Sequence, residues 1–194
     1  MPWLPENYTV PTDSNYMTLL PGSNRFRALS NPIMGWEYWI DNPEDKSKRK
    51  PIRKRTVQEI DTNDIGLDDE VKHFWAFVVW NYRDVRIQIL EITQKSVMNP
   101  MTALQEDPDY SDPKQYDVTI ARSGNDKNST KYSVLPGVPK PIDPSIIDDY
   151  NRMNINLEAL FTGDDPFAFT AKPSESKSSI DEEPLPAEEA ASSL

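Results

Sequence analysis

The sequence predicts a mainly β domain: a five-stranded barrel with a helix between the third and fourth strands, a C-terminal helix and a disordered acidic tail. Three observations carry this. Apolar residues fall in short alternating or continuous runs bounded by turn residues, as strands require. Eighteen prolines against six glycines favour short strands and extended loops over a helical bundle. From Thr170 onward the composition is Ser, Glu, Pro and Ala, too polar to bury a core.

Residues 1–23 are polar and Pro-rich and read as an extended N-terminal arm, turning at Pro21-Gly22. The domain proper is expected over 24–163. Asn24 to Ile40 reads as a long strand pair or one bent strand, and Ser30-Asn31-Pro32 marks a bend or bulge at its centre, because proline cannot donate to the ladder. Residues 41–72 are a polar insertion, basic in its first half and acidic in its second. Residues 73–82 and 85–93 make a strand pair joined at Arg83-Asp84. Val97, Met101 and Leu104 recur at helical spacing within 94–106, where Pro100 limits or kinks the helix. Tyr116–Arg122 alternates as the fourth strand, Ser123–Asn128 is a loop, and Lys131–Leu135 closes the barrel. After a Pro-rich connector, Ser145 and Asp148 mark a capping-box-like start to a helix carrying Ile146, Tyr150, Met153, Leu157, Leu160 and Phe161. Residues 164–194 form the acidic tail. A long bent strand, two strands, a helix and two further strands is the order of an OB-fold, which binds oligonucleotides beside its second and third strands and at loops 1–2 and 4–5.

A length of 194 residues with 37% apolar content supports one core. No apolar run reaches the roughly 18 residues of a membrane span, so no membrane partner is expected. No charged, apolar leader opens the chain, and a reducing cytoplasm is the expected setting. Zero cysteines leave no disulfide and no thiolate metal site. One histidine, His73, and no nucleophile–base pair argue against an enzyme. The acidic stretch 59–70 lacks the ligand order of a calcium loop, so neither metal nor cofactor is expected.

The net charge is −11, yet Lys46, Lys48, Arg49, Lys50, Arg53, Lys54 and Arg55 fall within ten positions free of Asp and Glu. Aromatic stretches flank this block: Gly35-Trp36-Glu37-Tyr38-Trp39 before it, and His73-Phe74-Trp75-Ala76-Phe77-Val78-Val79-Trp80-Asn81-Tyr82 after it. Cations neutralise phosphates and flat rings stack on bases, so the interleaving suits single-stranded nucleic acid. Trp36 and Tyr38 share a strand face. Lys127 and Lys131 border the second binding loop. With a two-residue turn at Arg83-Asp84, Trp80 opposes Ile87 and Val78 opposes Ile89, an apolar face expected to be core. The opposite face pairs Val79 with Gln88 and Phe77 with Leu90. It sets Trp75 and Phe77 beside Arg86 and Gln88 as a stacking platform, although strand aromatics can equally be core. A one-residue slip would exchange the faces.

These residues, with Asn24-Arg25-Phe26-Arg27-Ala28-Leu29-Ser30, Ile87-Gln88-Ile89-Leu90-Glu91-Ile92-Thr93-Gln94-Lys95, Tyr116-Asp117-Val118-Thr119-Ile120 and Tyr132-Ser133-Val134, resemble single-stranded DNA-binding proteins of tailed bacteriophages over about residues 16–163. The resemblance implies an OB-fold coating single-stranded DNA in phage replication, recombination and repair, in the bacterial host's cytoplasm. It also implies an acidic tail that recruits phage or host replication proteins. Two features depart from the family. The zinc site of some relatives is absent, and the chain ends Ala191-Ser192-Ser193-Leu194 rather than on an aromatic residue. Asp164-Asp165-Pro166-Phe167 is acidic-aromatic but internal, and packing on the barrel is the favoured role for it. The main alternative is a protein-interaction module of the same fold whose basic loop contacts an acidic partner. An acidic DNA mimic ranks below that, because much of the acid lies in a tail and a loop.

Overall fold

The computed structural model describes residues 14–45, 47–66, 69–124, 126 and 128–168. Lys46, Lys127, residues 1–13 of the arm and residues 169–194 of the tail lie outside them. The strands are β1 (Tyr16–Met17), β2 (Gly22–Ala28), β3 (Ile33–Asp41), β4 (Arg49–Lys54), β5 (Lys72–Asn81), β6 (Arg86–Ile92), β7 (Asp117–Ser123) and β8 (Lys131–Pro136). The helices are α1 (Lys95–Glu106), α2 (Pro144–Met153) and α3 (Ala159–Thr162). No helix among the described residues is long and apolar enough to cross a membrane.

The strands form one mixed sheet ordered β1-β6-β5-β2-β7-β8, with β3 pairing β4 and the first half of β5. The bent strand is real: β2 and β3 both pair antiparallel with β5 and are interrupted at residues 29–32. Ser30 Oγ accepts the Val78 backbone N–H at 2.9 Å, so a side chain replaces the ladder where Pro32 could not donate. No ladder joins β6 to β8 among the described residues. The sheet is therefore open rather than a closed five-stranded barrel, and Tyr16–Met17 of the N-terminal arm adds to β6 in parallel.

Two clusters hold the fold. Phe26, Phe77, Val79, Leu90, Ile92, Val118 and Ile120 meet Val97, Met98 and Met101 of α1 on one side of the sheet. Phe74, Ala76, Val78, Ile87 and Ile89 meet Leu157, Leu160 and Phe167 on the other. The β5–β6 register matches the sequence expectation pair for pair, Trp80 with Ile87 and Phe77 with Leu90. What differs is the use of the second face. Phe77 is 3% exposed and Gln88 fully buried, so beyond the half-buried Trp75 this face is core rather than a stacking platform. Its polar groups misled the reading because they satisfy one another. Asn81 donates to Gln88 at 2.7 Å, and Gln88 donates to the Ser14 carbonyl at 2.8 Å.

The hairpin turn spans four residues, 82–85, not two. Equal insertion on both strands leaves the register unchanged. Val85 takes φ +51° at 68% exposure, a left-handed conformation that a β-branched residue tolerates poorly. Val85→Asn should therefore stabilise the fold by about 1 kcal/mol, read as a higher urea midpoint at unchanged m-value. A lower midpoint would show that Val85 makes a contact outweighing its backbone strain.

The C-terminal helix starts and stops differently from the periodicity. Asp143, not Ser145, caps α2, accepting from the Ser145 backbone N–H at 2.9 Å with Pro144 at the first helical position. Asn154 ends the helix in the left-handed region at φ +46°, and α3 follows as a separate turn. Phe167 packs at 6% exposure in the second cluster, so the internal acidic-aromatic segment is a packing element.

Candidate nucleic-acid interface

Four cations of the basic block, Arg49, Lys50, Arg53 and Lys54, lie on a strand. β4 pairs antiparallel with β3, setting Trp36 opposite Lys54, Tyr38 opposite Ile52, and Ile40 opposite Lys50. Directly opposed residues share a face. One face of this hairpin thus carries Trp36, Tyr38, Lys50 and Lys54, and the other carries Arg49 and Arg53. The period of two therefore divides these four cations, while Lys48 and Arg55 lie just outside the strand.

Most of them are engaged internally. Arg53 is nearly buried between Glu37 at 3.4 Å and Glu91 at 2.8 Å, with its guanidinium 5.6 Å from the Phe74 ring centroid. Burial pushes the Glu37 carboxyl up, and the Arg53 charge opposes that rise. Arg55 pairs with Glu158 and lies over Phe161 at 4.4 Å, pinning α3 to the hairpin. Arg49 pairs with Asp69 at 2.5 Å and Lys48 with Asp45 at 3.1 Å. Arg53 is thus a structural cation, a correction to its expected phosphate role, while Arg55 stays largely exposed in its pair. Lys50 and Lys54 have no ion-pair partner among the described residues. Gly35 makes the hairpin's approach possible, since a Cβ there would meet the Lys54 carbonyl at 2.5 Å and Phe161 at 2.8 Å.

Where β3 and β5 meet, a groove of about 1060 Å³ opens between this hairpin, the start of α1 and the β7–β8 loop. Trp36, His73 and Trp75 form one wall. The Trp36 and His73 rings lie 5.0 Å apart, tilted by 54°, on opposed positions of the two strands. Trp75 Nε1–H donates to His73 Nε2 at 3.2 Å, which places the imidazole proton on Nδ1 when the ring is neutral. That Nδ1 is buried without a hydrogen-bond partner. Tyr132 and Arg122, opposed on β8 and β7, form the far wall. Arg122 is steadied by a 2.8 Å bond from Nη1 to the Leu19 carbonyl.

Lys72 and Lys95 add positive charge at the rim, against Glu70 and Asp126. Backbone and side-chain hydrogen bonds from Ser129 and the backbone N–H of Asn128 hold the Asp126 carboxyl below its ordinary range, because its charge closes the loop on itself. Gly124 starts that loop at φ +87°.

The groove therefore joins Trp36 and Trp75 from two distant segments. It leaves Phe77 and Gln88 in the core and Arg86 at the far end of the β5–β6 hairpin. Tyr38 is 1% exposed and offers no free ring face. Lys131 is exposed at the start of β8, one residue before Tyr132. His73, Arg122, Tyr132, Lys72 and Lys95 were not singled out from the sequence as ligand contacts. The alternation of Tyr132 with exposed residues was visible, but nothing local joined it to Trp75. No family model, curated protein or solved structure matches this chain. The phage resemblance accordingly stands on its motifs alone, and the function must be argued from the groove.

Proposed function

We propose that this protein binds single-stranded DNA without sequence preference, without catalysis and without a cofactor. The observation that carries the reading is the groove itself: Trp36, His73 and Trp75 face Tyr132 and Arg122 across an open channel with lysines at its rim. Ring faces and edges suit unstacked bases, and arginine and lysine suit the phosphates between them. The strand connectivity supports an OB-type frame: a bent first strand paired with two others, a hairpin, a helix and a second hairpin. In such a frame ligands sit between loops 1–2 and 4–5, which here are the β3–β4 hairpin with its following segment and the β7–β8 loop. The cellular role proposed is coating of single strands in phage replication, recombination and repair within the bacterial cytoplasm, with the acidic tail meeting replication proteins.

Internal pairing of Arg49, Arg53 and Arg55 lowers the number of cations free for phosphates. Engagement of about three to five phosphates gives a log K against log salt slope of roughly −2 to −3.5. Tryptophan fluorescence during titration with oligo(dT) at several salt concentrations checks this. Quenching with that slope, and weaker binding to duplex, is the expected result. Absence of quenching and of binding at low salt would remove the reading. The same internal pairing disfavours the rival module, because few of the block's cations remain for an acidic protein.

A further inference from the structure

The face of the β3–β4 hairpin that carries Trp36 continues past the groove as Tyr38, Lys50, Ile52 and Lys54. On an open two-stranded hairpin such a face should be exposed, yet Tyr38 is 1% exposed. What meets it is the segment after β4, which runs through two short 3-10 turns, Val57–Glu59 and Thr62–Asp64. Asp64 Oδ2 lies 3.5 Å from the Tyr38 hydroxyl. Burial, followed by the charges of Asp64 and Asp61, pushes the Tyr38 phenol up, so both carboxylates stand beside this ring.

Residues 56–66 hold Glu59, Asp61 and Asp64 and no Lys or Arg. Neither 3-10 turn buries a residue of its own, so the segment is a single superficial layer. Beyond it, the exposed Arg49–Asp69 pair ties the chain back to β4. Exposed pairs of this kind contribute little to stability. An acidic segment thus covers the Tyr38 ring, on the hairpin face that also carries the exposed Lys50 and the half-buried Lys54, neither with an ion-pair partner among the described residues.

We propose that residues 56–66 act as an internal stand-in for a nucleic-acid strand, covering the Tyr38 ring beside Lys50 and Lys54 until a bound strand leaving the groove displaces them. The proposal rests on the single-strand reading of the groove and extends its footprint along the hairpin. Displacement replaces the carboxylates beside Tyr38 with phosphates, on the face that carries Lys50 and Lys54, and uncovers one further ring for stacking. The segment therefore weakens binding of strands long enough to leave the groove, and leaves short ones nearly unaffected.

The test uses the full chain with Asp61→Asn and Asp64→Asn together, which removes two charges while Asn63 keeps a side-chain oxygen at position 61 to donate to. A second variant replaces residues 57–64 by a short Gly-Ser linker. Affinity for a short and a long oligo(dT) is measured at low and high salt. The double variant should bind the long oligomer about three- to tenfold tighter at low salt, with the gain fading at high salt as screening grows. Hydrogen exchange at 56–66 should quicken in wild type when the long oligomer is added. If wild type binds DNA and neither variant binds the long oligomer more tightly, or exchange at 56–66 slows on binding, the segment is not a displaceable cover. If wild type binds no oligomer at all, the groove reading fails and this proposal falls with it.

Discussion

Trp36→Ala and Trp75→Ala should each weaken oligo(dT) binding by about 5- to 150-fold, the range set by roughly 1–3 kcal/mol per stacked base. Both rings line the groove and neither belongs wholly to a core cluster. Trp36 is the cleaner of the two, because its ring contact is with His73. Trp75 also packs against the inner cluster and donates to His73, so its loss carries a stability cost that must be measured alongside. Two comparisons make the expectation specific. Phe77→Leu, a buried position, should lower stability with little change in affinity for the folded protein. Trp36→Phe should retain most of the binding that Trp36→Ala loses, since any flat ring can stack. Affinity lost equally in Trp36→Phe and Trp36→Ala would point to the indole N–H, not to stacking.

Removing the Asp117 side chain should strongly destabilise the fold, costing about 3–5 kcal/mol. Asp117 collects Arg27 at 2.7 Å, Arg25, Lys140 at 3.3 Å and the Tyr82 hydroxyl at 2.8 Å. Arg27 is 1% exposed, so Asp117→Ala strands a buried guanidinium with only the Lys114 and Lys140 carbonyls as partners. Burial pushes the Asp117 carboxyl up, but hydrogen bonds from Arg25 and Tyr82 and the Arg27 charge outweigh it and hold it at about 2. A folded pKa below the unfolded value of about 3.9 means a stabilising contribution present above pH 4 and lost as pH falls toward 2. Urea midpoints at pH 6 and pH 3 measure this. The gap between wild type and Asp117→Asn should narrow at the lower pH. A gap that stays constant would place the stabilising effect in shape rather than in charge.

The strand periodicities, the break at Ser30-Asn31-Pro32 and the β5–β6 register were legible because each depends on neighbours in sequence. Proline chemistry marked the break, and a hairpin fixed the pairing of its two arms. Burial was not legible in the same way. Asn81 and Gln88 read as solvent-facing because each is polar, whereas they pair with each other across the hairpin inside the core. The basic block read as a loop because Lys and Arg are poor strand formers alone. It is a strand because β3 was there to pair with it, and alternation then sent its residues to opposite faces.

The sequence by itself determined a mainly β chain, the order of its elements apart from β1 and β4, the approximate places of its two longer helices and the presence of aromatic and cationic residues near one another along the chain. Only the tertiary structure decided which of them act together. Trp36, Trp75, Arg122 and Tyr132 come from four strands and share one groove. Arg53 was drawn into the interior by a carboxylate 38 residues further on, and Arg55 was paired on the surface with one 103 residues further on. A carboxylate distant in sequence neutralises a cation as fully as a near one, and its arrival depends on how the sheet folds over.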